Sequence, residues 1–290
     1  MNTVVNLLKL MRPRQWVKNC FVFMGMLFAN AWHDQQMLTR VLMSAAAFSL
    51  VASGVYVIND LLDRDQDENH PQKKHRPLAA KTVTPGVAMA LMIVLWTAGL
   101  VLGYVVSVRV LFILLAYVLI NWGYSFGLKH IVLLDVFLLA SGFMLRIVAG
   151  TTGVGIAPTQ WLLLCGLMVA LFMGFAKRRA ELYASVDGGT GSRKVLASYQ
   201  PVLLDKLIVI TATCVILTYS LYTMSEQTIR IHHTESLIYT VPFVMYAIFR
   251  YIYSLHNQSM GSDPALEIFR DYHILAAIVG WLVLSLWLIA

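Results

Sequence analysis

Asn59, Asp60, Asp63 and Asp67 stand in the run Asn-Asp-Leu-Leu-Asp-Arg-Asp-Gln-Asp, beginning at Asn59. On a helix turning 100° per residue, Asp60, Asp63 and Asp67 fall within about 60° of one another, and Asp65 points nearly the opposite way. Asn59 lies one turn from Asp63. Three like charges on one face repel and weaken a helix. A bound divalent cation removes that cost. Oxygen ligands with no His or Cys inside the run suit Mg²⁺, with Mn²⁺ as the alternative ion. Asp60, Asp63 and Asp67 are therefore the candidate metal-ligating and catalytic residues, and Asn59 a candidate for orienting ligand or metal. A solvated acidic loop is the other reading.

Basic residues follow at once. Lys73, Lys74 and Arg76 lie in "HPQKKHRPLAAK", and cations beside a metal site clamp phosphates. Near the N-terminus, "RPRQWVKN" sets Arg12, Arg14 and Lys18 around Trp16. Arg14 and Lys18 are candidates for a lipid phosphate at headgroup depth, with an ordinary interfacial anchor as the alternative. In "YSFGLKH", Lys129 is a candidate contact for an anionic substrate and Tyr124 a hydrogen-bond donor. In "KRRAE", Lys177 and Arg178 add cations, while Glu181 either completes a second metal site or pairs with Lys177 one turn away. Attraction to anionic lipid, worth about 1 kcal/mol per basic residue near a membrane surface, is the alternative use of such residues. The glycines of loop 187–193 permit a lid or phosphate nest, but lack the spacing of a Walker loop.

The elements that must position these residues are membrane helices. The 290 residues are 59% hydrophobic and 13% charged, with mean hydropathy +0.70, whereas soluble domains are about 45–50% apolar and about 25% charged. The expectation is an all-α integral membrane protein, one transmembrane catalytic domain over 1–290. The N-terminus does not read as a cleaved signal peptide, since basic residues interrupt it. Cys20, Cys165 and Cys214 are isolated and read as small buried hydrophobes. The net charge of +7 does not call for nucleic acid, because in a membrane chain the distribution of charge decides.

Nine apolar segments approach the ~20 residues of a spanning helix: 17–33, 39–59, 85–107, 110–127, 132–153, 158–176, 204–224, 237–255 and 272–290. The 22 Lys and Arg residues gather on the side holding the N-terminus and the loops near 60–84, 128–131, 177–203 and 256–271. Only Arg40, Arg109 and Arg230 fall on the other side, and Arg146 lies within a span. The positive-inside rule makes the basic side cytoplasmic, with the N-terminus and the functional face there. In the fifth span, Asp135 and Arg146 share a face but lie ~16 Å apart along the axis, so they cannot pair. An intramembrane arginine marks a functional site by default. The acidic run ends span two and "AKRRAEL" ends span six, a coarse echo four spans apart.

"NDLLDRDQD" resembles the Asn-Asp-x-x-Asp-x-x-x-Asp signature of the UbiA-type intramembrane prenyltransferase superfamily, with Asn59, Asp60, Asp63 and Asp67 at its positions. Within it, "RPRQWVKN", "HPQKKHRPLAA", "YSFGLKHIVLLD" with "SGFMLRIVAG", and "KRRAEL" resemble the decaprenyl-phosphate phosphoribosyltransferase branch more than the aromatic prenyltransferases. One departure stands out. The second aspartate-rich motif of aromatic prenyltransferases is replaced here by Lys177, Arg178, Arg179 and Glu181.

The resemblance implies nine transmembrane helices around a central cavity in a bacterial inner membrane, open to the cytoplasm and to lipid. It implies Mg²⁺ at the aspartates and two substrates, phosphoribosyl pyrophosphate and a polyprenyl phosphate, with surrounding membrane lipids. The product would be a precursor for a cell-envelope glycan. Lys73, Lys74 and Arg76 would meet the donor, Arg14 and Lys18 the lipid phosphate, and Lys129, Arg146, Lys177 and Arg178 would complete a cationic lining. Two rival functions remain open: a prenyltransferase moving an isoprenoid from its diphosphate to an aromatic acceptor, and a carrier or flippase for an anionic lipid. A homo-oligomer is compatible with the sequence.

Overall fold

A computed structural model describes residues 3–69, 73–186, 194–257 and 271–289. Loop 187–193 and the basic residues Arg193 and Arg270 lie outside the described residues. The chain begins with α1 (Thr3–Met11), a 3₁₀ helix (Pro13–Phe23) and a short α2 (Met24–Phe28). Helix α3 (Gln35–Leu62) starts at Asp34, whose carboxylate accepts the N–H groups of Gln36 and Met37 at 2.9 and 3.0 Å, satisfying orphan donors of the first turn. Then come α4 (Arg64–Glu68), α5 (Pro85–Val106) and α6 (Val108–Ser125). The second half holds α7 (Leu134–Ala149), α8 (Gln160–Val186), α9 (Pro201–Met224), α10 (Glu226–His232), α11 (Val241–Asn257) and α12 (Tyr272–Ile289). No strand occurs among the described residues.

Among the described residues, seven helical stretches are long and apolar enough to cross a bilayer: α3, α5, α6, α8, α9, α12 and the stretch Ser236–Asn257 that contains α11. Two of the nine expected segments are not long helices. Over 17–33 the chain is not one long helix. It runs as 3₁₀ through Phe23, then as five residues of α2. Such a long 3₁₀ run needs outside support. Trp16 Nε1 donates to Ser53 Oγ at 3.0 Å and Asn19 Nδ2 to Ser49 Oγ at 2.7 Å, tying the run to α3. Over 132–153, α7 has 16 residues, or ~24 Å of helix, against a hydrocarbon core of ~30 Å. It also buries Asp135 and Arg146.

Two hydrophobic cores meet at α7. Val136 and Ala140 belong to one, with Phe172, Leu204 and Tyr251. Ala149 belongs to the other, with Val22, Phe48 and Leu114. The end of α7 meets the first segment backbone to backbone. A Cβ on Gly150 would lie 1.7 Å from the Val22 carbonyl oxygen, and one on Gly25 2.3 Å from the Gly150 oxygen. The structure also separates two ends. Arg40 and Arg109 donate to Val154 O and Thr152 O, both at 3.5 Å. Asp60 lies twenty residues along α3 from Arg40, ~30 Å away.

Gly150→Ala is expected to cost about 1–3 kcal/mol or more, because its methyl has no space against Val22. Thermal unfolding of the purified protein in detergent micelles measures this, and an unchanged midpoint would refute the tight contact.

Candidate active site

Helix α3 ends one residue before Asp63, which sits at φ −90 and ψ 2, and α4 restarts at Arg64. The three signature aspartates do not form the single carboxylate face expected from one continuous helix. Asp60 and Asp67 converge on Arg76, whose Nη1 donates to Asp60 Oδ1 at 3.0 Å and to Asp67 Oδ2 at 2.6 Å. Arg12 Nη2 also donates to Asp60 Oδ1, at 2.5 Å. Asp63 instead faces Lys129, with Nζ 3.8 Å from Oδ1. Charge explains the split. Carboxylates this close repel, and guanidinium groups relieve that with charge-assisted hydrogen bonds.

Asp67, expected as a third metal ligand, pairs with Arg76 as Asp60 does. It is 3% exposed and held by Arg76, with Lys73 Nζ 3.9 Å away. Among the described residues no three His, Cys, Asp or Glu side chains form a metal-binding group.

Beside these residues opens a cavity of about 260 Å³. Its wall carries the cations Arg12, Lys18, Lys73, Arg76, Arg146 and Lys177, and the carboxylates Asp60 and Asp63. Asn59 and Tyr124 line it too. Asn59 Oδ1 accepts from the Ser125 hydroxyl at 2.8 Å, which ties α3 to α6. Oxygen donors from Asn59, Asp60 and Asp63 on one cavity wall fit a Mg²⁺ ion, which takes one or two carboxylates plus substrate phosphates. Other expected residues lie elsewhere. Arg14 and Lys74 are exposed and do not line the cavity. Lys129, Arg178 and Glu181 also lie outside the lining.

Arg178 is fully buried and forms a second ionic cluster. Its Nε donates to Asp135 Oδ2 at 2.5 Å, its Nη2 to the Tyr124 hydroxyl at 3.0 Å, and its Nη1 to Glu181. Glu181, three residues along the same helix, thus closes on Arg178. Tyr199 donates to Asp135 Oδ1 at 2.7 Å and accepts the Leu133 N–H at 2.8 Å. Leu133 has φ 68, a left-handed conformation costly for leucine, and Tyr199 helps hold that turn at the entry to α7. Burial, then donation to Asp135, pushes the Tyr199 hydroxyl well above the ordinary phenol range, so it stays protonated.

Arg146 is 4% exposed and differs from the other arginines buried among the described residues, Arg178 and Arg179. Its Nε donates to Asn19 Oδ1 at 2.8 Å, its Nη1 to Gly142 O at 2.7 Å and its Nη2 to the Tyr117 hydroxyl at 3.4 Å. The rings of Phe48, Tyr117 and Phe143 surround the guanidinium at 4.8, 5.0 and 5.8 Å.

Sequence reasoning missed Asn19, Tyr117 and Tyr199. Asn19 ends the basic run that drew notice for its cations, Tyr117 and Tyr199 sit in apolar or neutral stretches, and each gains meaning only from a partner more than twenty residues away. Arg12 was legible, since it stands in the same basic cluster as Arg14 and Lys18.

The sequence profile of the UbiA prenyltransferase family matches residues 19–275. The chain belongs to the UbiA prenyltransferase family. Several relatives carry the name decaprenyl-phosphate phosphoribosyltransferase, two of them as follows. The Corynebacterium glutamicum protein is 34% identical, over 92% of this chain and 82% of its own length. The Mycobacterium tuberculosis protein is 31% identical, over 97% of this chain and 93% of its own. The fold is that of a UbiA homologue from Archaeoglobus fulgidus solved with GPP and Mg²⁺, with TM-score 0.72, 17% identity, and coverage of 98% of this chain and 99% of that one. The UbiA-family chain described here is thus a multi-pass membrane transferase, and its seven candidate spans include the helix that carries the signature asparagine and Asp60.

Asp135→Asn is expected to destabilise the protein by about 3–5 kcal/mol, because it removes a buried partner from Arg178. Denaturant unfolding in micelles reads this, and a loss below about 1 kcal/mol would show that Arg178 does not depend on Asp135.

Proposed function

We propose that the protein transfers 5-phosphoribose from phosphoribosyl pyrophosphate to a polyprenyl phosphate and releases pyrophosphate. The observation that carries this reading is the charge of the cavity. Six cations and two carboxylates line it, an excess suited to a donor with two phosphorylated ends and an acceptor with a third. Near-full-length similarity to two proteins named decaprenyl-phosphate phosphoribosyltransferase supports it.

In this reading Asn59, Asp60 and Asp63 hold Mg²⁺, as befits a family with a solved Mg²⁺ complex. The ion supplies charge neutralisation to the pyrophosphate. Arg76 and Lys73 meet the same group, and Asp67 keeps Arg76 in place. The bond between ribose C1 and the pyrophosphate oxygen breaks, and the electron pair leaves with pyrophosphate. An oxygen of the lipid phosphate forms the new bond at C1, where positive charge has developed. The nucleophile is already an anion, so no general base is required. The chain's task is to bring anions together, and fixed cations such as Arg12, Lys18 and Lys177 do so. The basic end of the bundle then faces the cytoplasm of a bacterial inner membrane, and the product serves a cell-envelope glycan. The region 1–290 acts as one catalytic domain around the cavity.

The test is purified protein given labelled phosphoribosyl pyrophosphate, polyprenyl phosphate and Mg²⁺. A labelled sugar-lipid supports the reading. Reaction only when a prenyl diphosphate and an aromatic acceptor are supplied identifies a prenyltransferase, and lipid movement without chemistry identifies a carrier. Asp63→Asn is expected to lower Mg²⁺-dependent transfer at least about 100-fold while the unfolding midpoint holds. Wild-type turnover would remove its metal role. Lys18→Ala is expected to raise the KM for lipid phosphate more than that for the donor, and equal effects would assign Lys18 a structural part.

A further inference from the structure

Three arginines are buried among the described residues: Arg146, Arg178 and Arg179. Arg178 and Arg179 each have a carboxylate oxygen at 2.5 Å, from Asp135 and Asp205. Arg146 has only neutral partners in the described structure: an amide, a carbonyl, a phenol and three rings. A guanidinium carries five N–H donors, and three are used. An uncompensated cation in a low-dielectric setting is costly, and an anion from outside removes the cost. The group is reachable, because Arg146 lines the cavity together with Gly142 and Tyr117. Gly142 stands beside Arg146 Nη1 on the cavity wall, where a Cβ would make an ordinary 3.6 Å contact with it.

Depth decides which anion arrives there. Ser125 bonds Asn59 at the aspartate ledge, and Tyr117 bonds Arg146. The two residues are about two turns of α6 apart, or ~12 Å. A lipid phosphate attacking C1 must come within about 3–3.5 Å of it, at the level of the ledge that holds the leaving group. The donor's second phosphate is on the far side of the ribose. A pentose with a phosphate at each end bridges ledge and depth.

We propose that Arg146 binds the 5-phosphate of the donor and thereby selects phosphoribosyl pyrophosphate over prenyl diphosphates. This rests on the phosphoribosyl-transfer reading. A prenyl diphosphate with its pyrophosphate on the ledge would lay hydrocarbon against a desolvated guanidinium and leave its charge unmatched. Asn19, held by Ser49 at 2.7 Å, orients the Nε edge. Arg146 is in these terms a specificity-determining residue, and Asn19 a positioning one.

The test compares phosphoribosyl pyrophosphate with ribose 1-pyrophosphate, which lacks the 5-phosphate. Both binding and transfer are measured with Mg²⁺ on the wild type, Arg146→Gln and Asn19→Asp. Asn19→Asp gives the guanidinium an internal counter-ion, at the loss of the hydrogen bond Asn19 donates to Ser49. Wild type is expected to prefer the phosphorylated donor by about 10- to 100-fold in affinity, the range of a hydrogen bond to a charged group. Both variants should lose most of that preference while binding Mg²⁺-pyrophosphate as wild type does, which also shows that they fold. If the wild type transfers from phosphoribosyl pyrophosphate and the variants keep its preference, this inference falls and the phosphoribosyl reading stands. If Arg146→Gln raises the KM for polyprenyl phosphate instead, the cation serves the lipid and the inference falls. If the wild type rejects phosphoribosyl pyrophosphate and moves a prenyl group, both fall together.

Discussion

Arg178 is fully buried, and a charge in that position is tolerated only when carboxylates and hydrogen-bond acceptors surround it. Asp135 comes from α7, Glu181 from the same helix as Arg178, Tyr124 from α6, and Tyr199 from the segment before α9. One ionic cluster therefore joins four parts of the chain. It also sets the turn at Leu133 from which α7 departs, because Tyr199 takes that residue's N–H. The direction of α7 places Arg146 and Gly142 on the cavity wall. The cluster is structural in its own right, and the cavity depends on it.

The same cost of buried charge is met in three ways. Arg178 is matched by carboxylates from inside the fold. Asp60 and Asp67 are matched by Arg12 and Arg76, and Asp60 stands at the cavity wall where a metal and a phosphate can enter the arrangement. Arg146 is matched by dipoles and aromatic faces alone. Only the first is self-sufficient. The other two leave charge facing the cavity, and that is where binding energy is available.

Helical regularity gives way at the same places. In the 3₁₀ run Pro13–Phe23, Trp16 and Asn19 stand one turn apart and both bond α3, while Lys18 lines the cavity. Its close approach to Gly150 carries it against α7. Irregular backbone at membrane depth is tolerated where protein surrounds it or water reaches it.

The sequence alone determined that this is a helical membrane protein with a basic functional end, because hydropathy and Lys/Arg asymmetry are sums over residues and need no coordinates. It also marked Asn59, Asp60 and Asp63, since a signature on one helix end is a local feature. It did not show that Asp60 and Asp67 share Arg76, because helical spacing ignores the cations that tertiary contacts bring between carboxylates. It counted nine apolar segments, of which seven hold long apolar helices among the described residues, because hydropathy does not reveal that 17–33 runs partly as 3₁₀ or that 132–153 holds a 16-residue helix with two buried charges. It placed Arg146 within a span but not among its partners. Asn19 is 127 residues away in the chain, and Tyr117 is 29. Which charges are paired and which face a ligand was decided only by the tertiary structure, since pairing depends on distances between side chains remote in sequence.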